Sequence, residues 1–149
     1  KATAAAKIKD GNGFWHRMGD AGYIDEEGDL WFCGRKDHRV ETADGIYFSV
    51  KCEAIFNNHP DVFRSALAGQ GKRPRQTPVI FIEPRPGKFP RSEAQKERFI
   101  KELLEISKKS ELTAAIDRIL FIEKMPVDVR HNAKIFREKL SDMASGRAL

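Results

Sequence analysis

Long hydrophobic runs are missing from this chain. The longest, such as Val79-Ile-Phe-Ile82 and Ile119-Leu-Phe-Ile122, span four residues, whereas a membrane helix needs about twenty, so no transmembrane segment is expected. Cysteine is scarce too, with two in 149 residues. Cys33 and Cys52 form no Cys-x-x-Cys pair, and no histidine stands at ligand spacing from either, which removes the sequence case for zinc or a disulfide framework. Both read as buried thiols of a reducing cytoplasm, Cys33 in a strand pattern and Cys52 on an apolar helical face. Lys1–Asp10 has neither an apolar targeting core nor an initiating Met and reads as the middle of a longer chain. There is no Gly/Ser/Thr-rich phosphate loop.

What is abundant is charge: 33% of residues are charged and the net charge is +5. That excess suits an anionic partner, whether nucleic acid, a membrane surface or a phosphorylated small molecule. The basic clusters Lys72-Arg-Pro-Arg75 and Arg85-Pro-Gly-Lys-Phe-Pro-Arg91 fall in Pro/Gly-rich loops, where solvated charge is the ordinary reading. No aromatic-studded strand accompanies them, so nucleic acid is not the expected partner.

The alternation over 14–24 and 29–33 around Asp25-Glu-Glu-Gly28 predicts a hairpin, with Met18-Gly19-Asp20 closing a strand. A smaller hairpin is predicted over 38–43 and 46–48 around Asp44-Gly45. Gly34-Arg-Lys-Asp37 between them is polar and reads as a flexible boundary. Ser49 is expected to cap a short helix with Val50, Ala54 and Ile55 on one side, ended by His59-Pro60. Strands follow over 62–69 and 78–83. Ser92 starts the clearest helix, striped by Ala94, Phe99, Ile100, Leu103, Leu104 and Ile106. A helical turn over 111–116, a strand over 118–123 broken by Pro126, and a helix over 136–143 complete the chain. This order implies an α+β fold, a few-stranded sheet with helices packed on it. Residues 37–149 form that small domain. Residues 1–36, with their 14–33 hairpin, are read as the tail of a preceding domain whose strands lack the sheet they would join and could pair with another copy.

Four elements in order carry a resemblance: Met18-Gly19-Asp20, Gly34-Arg35-Lys36-Asp37, Asp44-Gly45, and Lys134-Ile-Phe-Arg-Glu-Lys-Leu140. Together they resemble the C-terminal part of the adenylate-forming enzymes (acyl-CoA synthetases, luciferases, peptide-synthetase adenylation domains), whose small C-terminal lid follows a large nucleotide-binding domain. The resemblance implies that Asp20 accepts hydrogen bonds from the ribose hydroxyls of ATP and that Arg35 is a second nucleotide-side group. It makes Asp37 the hinge about which the lid turns between half-reactions, a residue that should be exposed and free of helix or sheet bonding. Asp44 and Gly45 belong to the loop of the second half-reaction. Lys134 is the catalytic lysine, bridging the substrate carboxylate and the α-phosphate. For each, the plain alternative is a surface turn residue or a solvated charge. ATP and Mg²⁺ are the implied cofactors, bound mainly by the N-terminal domain, which is itself the implied partner along with a carboxylic acid substrate.

There are departures. Met18 replaces the usual Thr, Glu41 stands where many members have Lys, Lys51 replaces the first acid of a Glu-Ile-Glu helix start, and Ala133 replaces Gly. Asp44, not Gly45, aligns with the family Gly if no gap is allowed, and Pro126 lies two residues further from the lysine than usual. Gly34-Arg-Lys-Asp-His-Arg-Val-Glu-Thr-Ala43 and Pro126-Val-Asp-Val-Arg-His-Asn-Ala-Lys134 are similar to the olefin-biosynthesis β-lactone synthetases. These adenylate a long-chain 2-alkyl-3-hydroxy acid and close a lactone without CoA. Arg130 and His131 would then help hold the adenylate, or simply shape the turn. The alternatives are an acyl-CoA or fatty acyl-AMP ligase, with CoA as possible substrate, and a non-catalytic basic binding module.

Overall fold

In the computed structural model, residues 6–130 and 134–146 are described. Ala133 and His131 lie outside them. Two hairpins come first: β1 (Lys7–Asp10) with β2 (Gly13–His16), and β3 (Asp20–Ile24) with β4 (Leu30–Arg35). The expected 14–24 strand is thus two strands. Gly19, at φ +76°, turns the chain between them, so Asp20 opens a strand rather than closing one. Neither hairpin joins a larger sheet among the described residues.

Lys36–His38 form one 3₁₀ turn, so the stretch read as a flexible boundary is ordered, with Gly34 and Arg35 paired in β4. A small hairpin follows, β5 (Val40–Glu41) with β6 (Ile46–Tyr47), turning at Asp44-Gly45 as the sequence indicates. Helix α1 covers Ser49–Phe56. Ser49 is its first residue and does not cap it; the extended Phe48 holds the cap position, with no side-chain bond. The reason is close packing against β4. A Cβ on Gly34, whose φ is +112°, would stand 2.8 Å from Ser49 Oγ, and Ser49 is buried there. The inward face of α1 is Cys52 and Phe56, while Val50 and Ala54 are exposed.

The centre is a three-stranded sheet, β7 (Val62–Gln70), β8 (Thr77–Pro84) and β9 (Arg118–Phe121). The central β8 pairs antiparallel with β7, Ala66 facing Phe81, and parallel with β9, Ile80 facing Ile119. A parallel pair needs a crossover, supplied by α2 (Glu93–Ser107). Ser92 Oγ accepts from Gln95 N at 3.3 Å, while Gln95 Oε1 accepts from Arg91 N at 2.8 Å, a capping box displaced by one residue. Of the expected stripe, Phe99 and Leu103 are buried, Ile100, Leu104 and Ile106 half-buried, and Ala94 exposed. The chain ends in β10 (Val127–Asp128) paired with β11 (Lys134–Ile135), a hairpin the sequence did not signal, and α3 (Arg137–Ala144).

Both faces of β8 are covered, which explains its unbroken apolar run. Ile80 and Ile82 pack with Phe56 and Leu103 under α1 and α2. Val79 and Phe81 pack with Met125, Leu140 and Ala144 under α3, where Ala66 and Ala68 keep β7 flat enough for the helix to lie close. The architecture is the small α+β fold expected from the element order. Cys33 and Cys52 are free and buried, and among the described residues no helix is long and apolar enough to cross a membrane.

The small side chains on β7 should be intolerant of growth. Ala66→Leu is expected to cost about 1–3 kcal/mol by overpacking, read as a lower urea midpoint with an unchanged m-value.

Candidate functional site

The 3₁₀ turn, the β7–β8 loop, Lys134 on β11 and the first turn of α3 enclose a cleft of about 670 Å³. Arg35, Asp37, His38, Arg73, Lys134 and Arg137 all line it. Lys134 is exposed and has no ion pair among the described residues. Its strand is pinned by β10, where Lys134 stands opposite Asp128, and by Phe136 N donating to Pro126 O at 2.9 Å. Three residues on, Arg137 is anchored deep: its guanidinium grips Glu53, with Nη2 donating to Oε2 at 3.1 Å, and Nη1 donates to Leu67 O at 2.8 Å.

Asp20 and Arg35 stand opposite each other across β3 and β4 and are paired at 3.2 Å, both solvent-accessible. Arg35 lines the cleft; Asp20 reaches it through this pair. Gly19 makes room for the contact, since a Cβ there would meet Arg35 Nη2 at 3.4 Å. Asp37 is exposed, as a hinge would be, although it sits within the 3₁₀ turn rather than outside all helical bonding. Asp44 and Gly45 are not in the cleft. Thr42 Oγ1 accepts from both their amides, at 3.2 and 3.1 Å, and they border a separate depression beside Lys51 and Glu111.

The cleft is electropositive. Burial, then the charges of Arg137, Lys134 and Arg35, hold the His38 imidazole below its usual 6.5, with only Asp37 opposing. Lining cations outnumber the lining carboxylates Asp37, Glu138 and Asp142, a balance that suits an anion. Among the described residues no three His, Cys, Asp or Glu side chains assemble as metal ligands.

This geometry accompanies clear sequence relatives. The chain is 48% identical over 130 residues to an olefin β-lactone synthetase of Xanthomonas campestris, matching 87% of this chain and 23% of that protein. It is 42% identical to one from Stenotrophomonas maltophilia, over 97% of this chain and 26% of the other. A 2-succinylbenzoate–CoA ligase of Geobacillus kaustophilus is 30% identical over 94% of this chain and 26% of its own length. Among solved structures, an anthranilate CoA ligase in complex with anthranoyl-AMP superposes with TM-score 0.72 at 28% identity, over 89% of this chain and 25% of that one. The chain belongs with the adenylate-forming ligases, as a part of their C-terminal end. It spans about a quarter of the length of the curated relatives. The O-succinylbenzoate CoA synthetase of Bacillus subtilis, at 19% identity and TM-score 0.67 over 95% of this chain and 26% of its own, shares the fold. No family model matches the chain.

Within this ligase segment, three participants escaped the sequence reading. Glu53 stands at the second acid of the Glu-Ile-Glu helix start in which Lys51 replaces the first, and Arg137 lies inside the lysine motif. Their pairing across 84 residues left no local signal. His38 follows the Gly-Arg motif directly, and no residue pattern marks it as lining the cleft.

Two outcomes follow from the cleft. His38 is neutral in the folded chain over a pH range where the unfolded chain is protonated. Stability should therefore fall as pH drops through about 6.5, level off below the lowered folded value, and fall less in His38→Gln, as read by urea unfolding between pH 8 and 5. Gly19→Ala places a side chain at positive φ and should cost about 1 kcal/mol or more, read as a lower melting temperature.

Proposed function

We propose that this chain is the lid of an ATP-dependent ligase that activates a carboxylic acid as its acyl-adenylate. The observation that carries the reading is the cleft where Lys134, with no ion pair among the described residues, stands beside Arg35 and His38. When a carboxylate oxygen attacks the α-phosphorus of ATP, negative charge grows on the non-bridging oxygens as pyrophosphate leaves. A pre-placed ammonium stabilises that charge more than it stabilises the ground state. Asp20 accepts from the ribose hydroxyls, with Arg35 holding its carboxylate at 3.2 Å. The lid then turns about Asp37 and brings the Asp44-Gly45 loop into use.

The acid is a long-chain 2-alkyl-3-hydroxy acid. Its own hydroxyl oxygen attacks the acyl carbonyl, the hydroxyl proton is lost, and AMP departs with the C–O(P) bonding pair, closing a β-lactone. The relatives above support this branch over the runner-up, an acyl-CoA ligase or a fatty acyl-AMP ligase. The complete enzyme's other partner is the remainder of the same protein. The β1–β4 hairpins carry an apolar surface suited to that contact, with Leu30 77% and Trp15 67% exposed. Residues 1–36 accordingly belong with the large domain.

The test uses the full-length parent with ATP, Mg²⁺ and a 2-alkyl-3-hydroxy acid, with and without CoA, read by mass spectrometry. A β-lactone and AMP independent of CoA are expected, and Lys134→Ala should lower acyl-AMP formation by about 10²–10³-fold. A CoA thioester would transfer the protein to the acyl-CoA ligases. Unchanged chemistry in Lys134→Ala would leave a non-catalytic binding module.

A further inference from the structure

Glu41 stands where many adenylate-forming enzymes have lysine, and the proposed function gives it no task. In the structure its carboxylate holds Arg39 Nη2 at 2.7 Å and lies 4.0 Å from Arg73 Nε. Arg73 sits on the β7–β8 loop, yet its Nη2 donates to two main-chain carbonyls of the preceding turn, Asp37 O at 2.7 Å and Arg39 O at 2.9 Å. Gln76 of the same loop completes the grip, its amide donating to Glu41 O at 2.8 Å while its Oε1 accepts from Glu41 N at 3.2 Å. On the other side, Lys36 N donates to Gly19 O at 2.9 Å, tying Lys36 to the β3–β4 hairpin. The backbone is thus fixed to the hairpin up to Lys36 N and to the sheet domain from Asp37 O onward. The main-chain torsions between those two points are those of Lys36 and Asp37. Lys36 O, between them, is held by Arg39 Nη1 at 2.8 Å, a contact within the turn.

We infer that Arg73, seated on Glu41, is a positioning residue that fixes the lid side of the pivot and confines rotation to Lys36 and Asp37. A hinge needs one stiff boundary on each side; without it a large rotation spreads over several residues and the lid stops at no defined orientation. Lysine at position 41 would repel both Arg39 and Arg73, so Glu41 and Arg73 form one device. The inference rests on the reading of this chain as a turning lid.

The test compares full-length parent protein with Arg73→Gln and Arg73→Lys. Amide exchange over 37–43 should quicken about tenfold in Arg73→Gln while exchange over 20–35 stays unchanged. The two half-reactions, pyrophosphate release on adenylation and AMP release from preformed acyl-adenylate, should slow unequally, their ratio shifting about fivefold or more, with the KM for ATP unaltered. Arg73→Lys, keeping a cationic donor for the two carbonyls but losing Nε toward Glu41, should recover part of the shift. Equal slowing of both half-reactions would reduce Arg73 to a structural tie, and a raised KM for ATP would make it an anion contact; either overturns the inference. Unchanged exchange over 37–43 overturns it without reference to chemistry. Parent protein that forms no acyl-adenylate instead sinks the underlying reading, an outcome visible before any variant is made.

Discussion

Glu53 and Arg137, 84 residues apart, meet in a half-buried pair on which the placement of the C-terminal helix depends. The carboxylate also accepts from Leu67 N at 2.8 Å, and the guanidinium donates to Leu67 O at 2.8 Å. One residue of β7 is thus held at both its N–H and its C=O, and α1, β7 and α3 are joined at a single point. Desolvating two charges is costly, and the attraction between them offsets it only where the remaining hydrogen-bonding groups are also satisfied. The two bonds to Leu67 go far toward that, although the buried Arg137 Nε has no acceptor among the described residues. A pair held at this many points is unforgiving, because removing one partner leaves the other's hydrogen-bonding groups unmet.

Its consequence for the site is positional. Lys134 lies three residues before Arg137, on a strand whose other restraint is the short β10–β11 ladder. Leu140 and Ala144 lock the rest of α3 onto Ala66, Ala68 and Phe81 by apolar packing. A flexible lysine is thereby carried on a stiff mount, so its ammonium can be aimed without itself being bound. The Asp44-Gly45 turn is held by different contacts and opens on a different depression. Under the proposed function, those two positions are what a turning lid would exchange.

Much of this was legible in the sequence because it is local. The β7–β8 pair, the α2 stripe and the Ser92 cap each follow from periodicity or capping chemistry within a few residues. The order of the Gly-Arg, Asp-Gly and Lys motifs points to the family by sequence alone. The misses are those where packing overrode a local signal. Ser49 has the chemistry of a cap but is buried against Gly34, and the 14–24 alternation conceals the left-handed turn at Gly19. Glu53–Arg137 and Arg73–Glu41 were hidden for another reason: charged residues paired across the fold look, in sequence, like any solvated charge.

The most direct measurement is a double-mutant cycle on the pair, comparing Glu53→Gln, Arg137→Gln and the double variant by urea unfolding of this chain. Each single change should cost about 2–3 kcal/mol by leaving its partner's hydrogen-bonding groups unmet, and the double variant should lose clearly less than their sum, a coupling of about 1 kcal/mol or more. Additive losses with coupling below about 0.5 kcal/mol would mean that the pair is incidental and that something else mounts Lys134.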